Sequence, residues 1–329
     1  MKAVVIKEKG GAEQLEIKEI AKPTCKEDEL LVRVKATAVN RADIAQREGA
    51  YPPPPGASPI LGLELAGIVE EVGEACQDRW SVGDRVFGLL SGGGYAEYAV
   101  LPGVLALPIP ESLSFEEAAA IPEVFLTAYQ CLFWIGRLQK GEKVLIHAGA
   151  SGVGTAAIQL ARAVGAEALV TVGSEEKRDF CLRLGAKHAF NYREGDFSDK
   201  VLEATDGQGV DVVLDFVGAP YWQQNLSVLK MDGRLVFISA LGGTKLDQAS
   251  IGAILGKRLT ITGTTLRSRS LAYKEALNRD FASFALPRLV SGELKPVIDT
   301  IYPLSEVQEA HRYMELNKNK GKIVLRIED

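Results

Sequence analysis

Residues 147–161 read HAGASGVGTAAIQLA, directly after a short apolar run, KVLI. The turn Gly149-Ala150-Ser151-Gly152-Val153-Gly154 leads into Val153, Ala156, Ala157, Leu160, Ala161 and Val164, which recur at helical spacing. A strand, a glycine-rich turn and a helix in this order make the first half of a βαβ unit. Gly149 suits the tight turn that ends the strand, and Gly154 lets the helix come close to the sheet. The first helical turn, Gly152 and Val153 included, then offers backbone N–H groups and a partial positive charge to a pyrophosphate. Ser151 stands where a glycine is usual, and its hydroxyl can donate to a phosphate. The plain alternative is a strand-to-helix turn that binds nothing.

The surrounding pattern argues against that alternative. Strands are predicted at 143–148, 168–173, 188–192, 210–217, 233–240 and 259–266, with helical patterns between the first five. Six near-continuous apolar strands joined by crossovers describe a doubly wound parallel sheet, a Rossmann arrangement within an α/β fold. Before residue 122 the style differs. Short β-rich segments such as ELLVRVKATAV and YAEYAVLP are broken by glycine and proline, notably YPPPPGASP at 51–59. After 267 come an amphipathic helix over 271–292, a second helix around 305–316 and a last strand, GKIVLRI. That tail is too small for its own core. The predicted division is therefore 1–122 with 267–329 as a β-rich catalytic domain, and 123–266 as the dinucleotide domain.

Cofactor choice is read where the second strand ends. An NAD enzyme places an acidic residue there to accept from the adenosine 2′-hydroxyl. Here the strand runs into VTVGSEEKR, with Gly173 and Ser174 at that point and Lys177 and Arg178 one turn on. A small residue followed by cations suits a 2′-phosphate, so NADPH is expected. Ser174 also reads as a helix cap with Glu175 and Glu176 complementing the dipole, and Glu175 is a rival 2′-hydroxyl acceptor.

The composition gives no reason to expect nucleic acid or a membrane. Net charge is −5, from 38 basic and 43 acidic residues, and no apolar run nears the length of a bilayer span. The N-terminus alternates like a strand and lacks a signal-peptide core. Cys25, Cys76, Cys131 and Cys181 form no CxxC pair, which argues against a disulfide framework or a cysteine-built zinc site, and the cytoplasm is expected.

Several stretches carry a family resemblance: NRADIAQREGAYPPPPGAS (40–58), ILGLELAG (60–67), AAAIPEVFLTAYQ (118–130), HAGASGVGTAAIQLARAVGA (147–166) and NKNKGKIVL (317–325). With the domain order, they resemble the medium-chain dehydrogenase/reductase superfamily, and within it the zinc-free quinone oxidoreductases of the zeta-crystallin branch. The resemblance implies a GroES-like catalytic domain, a Rossmann domain, NADPH, and a homodimer or homotetramer joined partly through the nucleotide domains. The zinc cysteine of related alcohol dehydrogenases would fall on Asn40 and a zinc histidine on Leu63, neither of which can ligate zinc as required. Glu64 remains, but one carboxylate is no zinc site, and the four-cysteine lobe is missing. His147, His188 and His311 lie far apart in strand or helix patterns, where a structural role is expected. No metal is predicted.

Without a Lewis acid, reduction of a simple ketone needs a strong positioned proton donor, and none stands out. Quinones and conjugated carbonyls are easier acceptors, since charge delocalises and a weak donor suffices. The cleft is expected outside the carboxyl ends of the strands, between the two domains. By resemblance, Asn40 lies near the nicotinamide and Tyr51 donates to an acceptor oxygen, which makes these the candidate catalytic residues. Gln46 joins Tyr51 in lining the substrate pocket. Read plainly, Asn40 stabilises a turn and Tyr51 packs on prolines. Thr127 resembles the threonine beside the nicotinamide, and Tyr192 the residue that contacts the 2′-phosphate with Lys177. Backbone groups of Leu241, Gly242, Thr264, Thr265 and Leu266 are expected to frame the nicotinamide, and Lys322 to reach the cleft. Reduction of an enal, enone or enoyl thioester is the alternative, for which Arg41, Arg47, Arg267 and Arg269 are candidates for a basic entrance. A third reading is an NADPH-binding protein of low turnover with a structural or redox-sensing role.

Overall fold

The computed structural model describes residues 1–246 and 249–328. The chain divides into two units, Met1–Leu126 with Leu266–Asp329, and Thr127–Thr265. Residues 123–126 thus group with the first unit.

The first unit opens with β1 (Lys2–Ile6) and β2 (Leu15–Glu19), an antiparallel pair. It continues through β3 (Glu29–Val39), α1 (Arg41–Arg47), β4 (Glu64–Val72), β5 (Arg85–Leu89), β6 (Tyr98–Pro102) and β7 (Ala106–Pro108) to α2 (Phe115–Ala119) and α3 (Pro122–Tyr129). The second unit carries β8 (Lys143–Ile146), α4 (Gly152–Ala163), β9 (Glu167–Val172), α5 (Glu175–Leu184), β10 (His188–Asn191) and α6 (Phe197–Ala204). Then follow β11 (Val210–Asp215), α7 (Trp222–Val228), β12 (Leu229–Phe237), α8 (Gly252–Lys257) and β13 (Thr260–Gly263). The chain returns to the first unit with α9 (Leu271–Ser291), β14 (Ile298–Pro303), α10 (Val307–Glu315) and β15 (Lys322–Arg326).

In the second unit six strands run in the order β10-β9-β8-β11-β12-β13, every pair parallel. This is the doubly wound sheet the apolar runs predict. Its central strands are buried on both faces, as KVLI and EALVTV require, whereas the edges β10 and β13 are only partly covered. The strand order reverses between β8 and β11, the position at which such sheets take a ligand. Two elements depart from the sequence reading. β12 starts at Leu229 rather than 233, because a bulge between Leu229 and Arg234 absorbs the left-handed residue Asp232. α8 supplies the crossover to β13 that parallel pairing demands.

The seven-stranded sheet of the first unit runs β14-β15-β3-β4-β5-β7, with β6 also paired to β3. β15 lies antiparallel to β3, with Ile323 against Val39 and Arg326 against Ala36. The tail therefore adds strands to the N-terminal sheet, and Leu304, Val307, Ala310, Ile323 and Leu325 share a core with Val4, Leu30 and Val32. β14 was not legible as a strand, since it is an edge with no fully buried residue. α9 places Lys274, Leu277, Asn278, Phe281, Ala285 and Leu289 on one buried stripe. All four cysteines are free thiols. Among the described residues no helix is long and apolar enough to cross a membrane.

Candidate functional site

The glycine turn has the geometry of a phosphate cradle. Ser151 is the N-cap of α4 and its hydroxyl accepts from the Gly154 N–H at 3.1 Å, leaving the hydroxyl proton to donate. A Cβ on Gly154 would fall 2.4 Å from the Ala148 carbonyl oxygen, and one on Gly149 would fall 2.6 Å from Val170. Gly149 is thus needed for closeness to β9. The left-handed residue of the turn is Ala148, at φ 49°, which corrects the expected role of Gly149. The first-turn amides of α4, those of Gly152 and Val153 among them, lie at the carboxyl end of β8 beside the strand-order reversal.

Parallel pairing brings the second recognition element together. Asn191 pairs with Val172, so the next residues, Tyr192 and Gly173, lie side by side. A Cβ on Gly173 would meet the Tyr192 hydroxyl at 2.6 Å. Ser174 caps α5 by accepting from the Lys177 N–H at 3.2 Å, and its hydroxyl proton remains available. Glu175 is paired with Arg178 at 2.8 Å. Gly173, Ser174, Lys177 and Tyr192, scattered over twenty residues, therefore share one strand end, with Tyr192 41% exposed. This donor set fits a phosphate, and with the α4 turn it fits a phosphorylated dinucleotide.

The other cofactor candidates divide. Leu241, Gly242 and Gly243 form a turn whose N–H groups donate to Phe216, Val217 and Ala240 carbonyls, so they frame the turn and are not free donors. Gly242 lines a cavity of about 580 Å³ with Pro220, Trp222 and Lys245. The Thr264 N–H donates to the Phe237 carbonyl, Thr265 is exposed and Leu266 is buried. Thr127 is buried in α3, one turn before Gln130. Gln130 was missed in the sequence. It opens a π-helical turn, Gln130–Ile135, and its Nε2 donates to Thr264 Oγ1 at 2.6 Å, while its buried Oε1 has no hydrogen-bond partner among the described residues.

In the first unit a buried polar cluster surrounds Glu64, itself 0% exposed. Glu64 Oε1 accepts from Asn40 Nδ2 at 2.8 Å and from Lys322 Nζ at 2.8 Å, and Oε2 accepts from the Glu123 N–H at 2.8 Å. Lys322 Nζ also donates to Asn40 Oδ1 at 2.7 Å and to the Val39 carbonyl at 3.2 Å. Asn40 Nδ2 makes a further bond to the Ala38 carbonyl at 3.2 Å. Both ends of the Asn40 amide and the whole Lys322 ammonium are engaged inside the unit. Neither offers a donor outward, contrary to the direct contacts expected of them. Three residues on from Asn40, Asp43 accepts from the N–H groups of Asn40 at 2.8 Å and Gly62 at 3.0 Å. Its pKa is pushed up to about 6, chiefly by burial. Burial and the Glu64 carboxylate push the pKa of Glu123 up to about 8.

Tyr51 lies half-buried just after α1, its N–H bonded to the Ala45 carbonyl at 3.1 Å. Arg267 sits beneath its ring, with the guanidinium carbon 5.4 Å from the ring centroid. Gln46 Nε2 donates to the Pro59 carbonyl at 3.0 Å, which ties down the proline loop, and its Oε1 accepts from Arg267 Nη2 at 2.7 Å. Arg267 thus touches both Tyr51 and Gln46, a link the sequence did not reveal. Arg47 is also buried, bonded to the Gly10 carbonyl, His311 and Glu315, and Arg41 reaches the Met314 carbonyl. Of the four arginines named for a basic entrance, Arg47 and Arg267 are buried, Arg41 is half-buried, and Arg269 is exposed over the Tyr273 ring.

The histidines are structural. His147 bridges Thr171 at 2.9 Å and Asn225 at 2.7 Å, and His311 bridges Arg47 and Tyr95. Burial pushes His311 down to about 3. His188 stacks on Phe190 along β10.

Residues 26–111 match the alcohol dehydrogenase GroES-like domain and residues 152–281 the zinc-binding dehydrogenase domain. The chain is 35% identical to quinone oxidoreductase from Homo sapiens over 313 residues, 94% of this chain and 93% of that protein. This chain belongs to the medium-chain dehydrogenase/reductase superfamily. The structure of Escherichia coli quinone oxidoreductase complexed with NADPH is 31% identical, with a TM-score of 0.89 over 99% of this chain and 100% of that one. CurK enoyl reductase is also 31% identical, with a TM-score of 0.88 over 99% of both chains. A 304-residue match at 35% identity to highly reducing polyketide synthase AN6791 from Emericella nidulans covers 90% of this chain and 11% of that protein. Membership of the superfamily makes the protein an oxidoreductase of the dinucleotide-binding kind.

Proposed function

We propose that this medium-chain oxidoreductase is an NADPH-dependent, zinc-independent quinone oxidoreductase acting on ortho-quinones. The observation that carries the reading is the commitment of Glu64 to Lys322 and Asn40. The carboxylate next to the superfamily zinc-histidine position is already paired with an internal ammonium, and Asn40 and Leu63 contribute neither thiolate nor imidazole. The acceptor must then be one that accepts electrons without a metal as Lewis acid. Bound NADPH supplies the hydride.

Ser151 and the first-turn amides of Gly152 and Val153 hold the pyrophosphate, with Gly149 and Gly154 allowing the close approach. Gly173, Ser174, Lys177 and Tyr192 hold the 2′-phosphate. Thr127, Thr264, Thr265, Leu266 and the turn at Leu241 and Gly242 flank the nicotinamide. Tyr51 donates to the acceptor oxygen beside Gln46. Asn40 and Lys322 act from behind by fixing Glu64 and, through it, the start of α3. The protein works in the cytoplasm as a homo-oligomer, for which the exposed edge strand β13 is suited.

The deciding experiment is NADPH oxidation by the purified protein with and without a polycyclic ortho-quinone. Acceptor-dependent consumption that falls at least about tenfold in Tyr51→Phe is expected, the scale of a lost positioned proton donor. No consumption with quinone would end this reading. Turnover with an enal or enoyl thioester instead would favour the second reading, double-bond reduction, which the likeness to CurK enoyl reductase supports. NADPH binding with neither acceptor consumed would leave a low-turnover binding protein.

The cofactor assignment has its own test. Lys177→Ala should weaken NADPH binding about tenfold or more and leave NADH binding nearly unchanged, since only NADPH carries the 2′-phosphate. Equal loss for both, measured by titration of the reduced cofactors, would refute it.

A further inference from the structure

Arg267 and Lys274 are buried cations, 4% and 7% exposed, and neither has an ion-pair partner among the described residues. Arg267 Nε and Nη2 donate to the Ser91 carbonyl at 2.9 and 2.8 Å, and Nη2 also to Gln46. Lys274 Nζ donates to Ser91 Oγ at 2.9 Å and to the Arg267 carbonyl at 2.6 Å. All these acceptors are neutral. Arg267 Nη1 is buried and has no hydrogen-bond partner among the described residues. A buried charge normally finds a counter-charge, because the desolvation cost is large otherwise. Burial accordingly pulls the pKa of both groups down.

The nearby carboxylates make no ion pair with them: Glu64 is bonded to Lys322, Asp43 to two backbone amides and Tyr95, and burial raises Glu123 to about 8, so Asp43 and Glu123 act on the two cations only from beyond ion-pair distance. The Arg267 guanidinium lies beneath the ring of the half-buried Tyr51, and Lys274 is held to the same arginine through the Arg267 carbonyl.

We propose that Arg267 and Lys274 form an oxyanion seat, which selects acceptors whose reduction leaves negative charge on an oxygen placed against Tyr51. The inference rests on the quinone oxidoreductase reading and deepens it. When reduced nicotinamide is oxidised by a quinone, two electrons and one hydrogen pass to the acceptor and a quinol monoanion remains. A proton from Tyr51 or water then completes the quinol, and Tyr51 regains its proton from solvent. The seat lowers the energy of the anion before that proton arrives, which is the effect of preorganised charge at a site of developing charge. Acceptors that end as an enolate fit the same seat, whereas an acceptor with no carbonyl oxygen in conjugation does not.

The test uses 4-nitrophenol, whose ionisation is visible and whose anion resembles a quinol monoanion. It is titrated by absorbance against pH in the full-length protein, with and without NADP⁺. Bound probe should ionise about one pH unit below free probe, a tenfold preference for the anion, or ~1.4 kcal/mol. Lys274→Met should lose at least half of that shift, and Arg267→Met all of it. Tyr51→Phe should keep most of it, because the Arg267 charge lies beneath the ring and not in its hydroxyl. Since Arg267→Met also removes the anchors to Ser91 and Gln46, the wild-type titration decides even where that variant fails to fold. Bound probe that ionises at or above the free value, or no saturable binding, overturns the seat. If such a protein still oxidises NADPH with quinone, the function stands and only the seat is lost. A shifted probe in a protein that reduces no quinone would leave the seat and remove the quinone reading.

Discussion

Replacing Lys322 by methionine is expected to destabilise the first unit by about 3–5 kcal/mol, the usual cost of breaking a buried ion pair by removing one partner. The ammonium serves three acceptors, Glu64, Asn40 and the Val39 carbonyl. Its loss strands a fully buried carboxylate and the oxygen of a buried amide. At roughly 2–4 °C per kcal/mol for a domain of this size, the midpoint should fall by about 6–20 °C. Thermal or urea unfolding of the apoprotein measures this without reference to activity. Pairing it with Glu64→Leu should recover much of the loss, because the stranded charge goes as well. A single variant within about 1 kcal/mol of wild type would show that Glu64 finds another proton or partner, and would weaken the argument that this carboxylate is held away from metal.

The second large effect is a pH dependence at Glu123. Its carboxyl ordinarily titrates at 4.5 and is pushed up to about 8 by burial and by Glu64, whose Oε2 already takes the Glu123 N–H. Between those values the unfolded chain releases this proton and the folded chain keeps it. The native state therefore loses stability as pH rises, at about 1.4 kcal/mol per pH unit. Glu123→Gln removes the titration. The stability difference between variant and wild type should grow in the variant's favour from pH 4.5 to 8, by roughly 3–5 kcal/mol in total, and level off beyond. Denaturant unfolding at a series of pH values gives the curve. A flat difference would show that Glu123 is ionised in the folded protein, and the two buried cations would then have their counter-charge. The same curve thus bears on the oxyanion seat.

The dinucleotide half of the site was legible because each of its determinants is local. A glycine that must lie close to β9, a serine cap and a helix start follow one another within six residues, and the chain needs nothing distant to form them. Ala148 shows the limit even there. The left-handed turn residue is an alanine, and no glycine marks it. Gly173, Ser174 and Lys177 could be read from the end of β9, but Tyr192 joins them only through the parallel register with β10.

The acceptor half was legible by residue type and not by role. Asn40, Gln46, Tyr51 and Lys322 could be named from family resemblance. Whether a side chain faces outward or is spent on a neighbour depends on partners hundreds of residues away, and sequence spacing does not encode this. Lys322 reaches Glu64 because β15 pairs with β3, and Arg267 reaches Gln46 and Ser91 because the chain returns to the first unit after β13. An arginine in TTLRSRS carries no sign of being buried.

By itself, then, the sequence determined the two kinds of architecture, the phosphate-binding turn and the absence of superfamily zinc ligands at Asn40 and Leu63. Periodicity, turn chemistry and residue identity are properties of neighbours in the chain. The tertiary structure decided which charges are paired. It closed Asn40 and Lys322 around Glu64, raised Glu123, and left Arg267, beneath Tyr51, and Lys274 without an ion-pair partner among the described residues. The reason is that ionisation and hydrogen-bond satisfaction depend on distance and water exclusion in three dimensions, which long-range strand pairing alone sets.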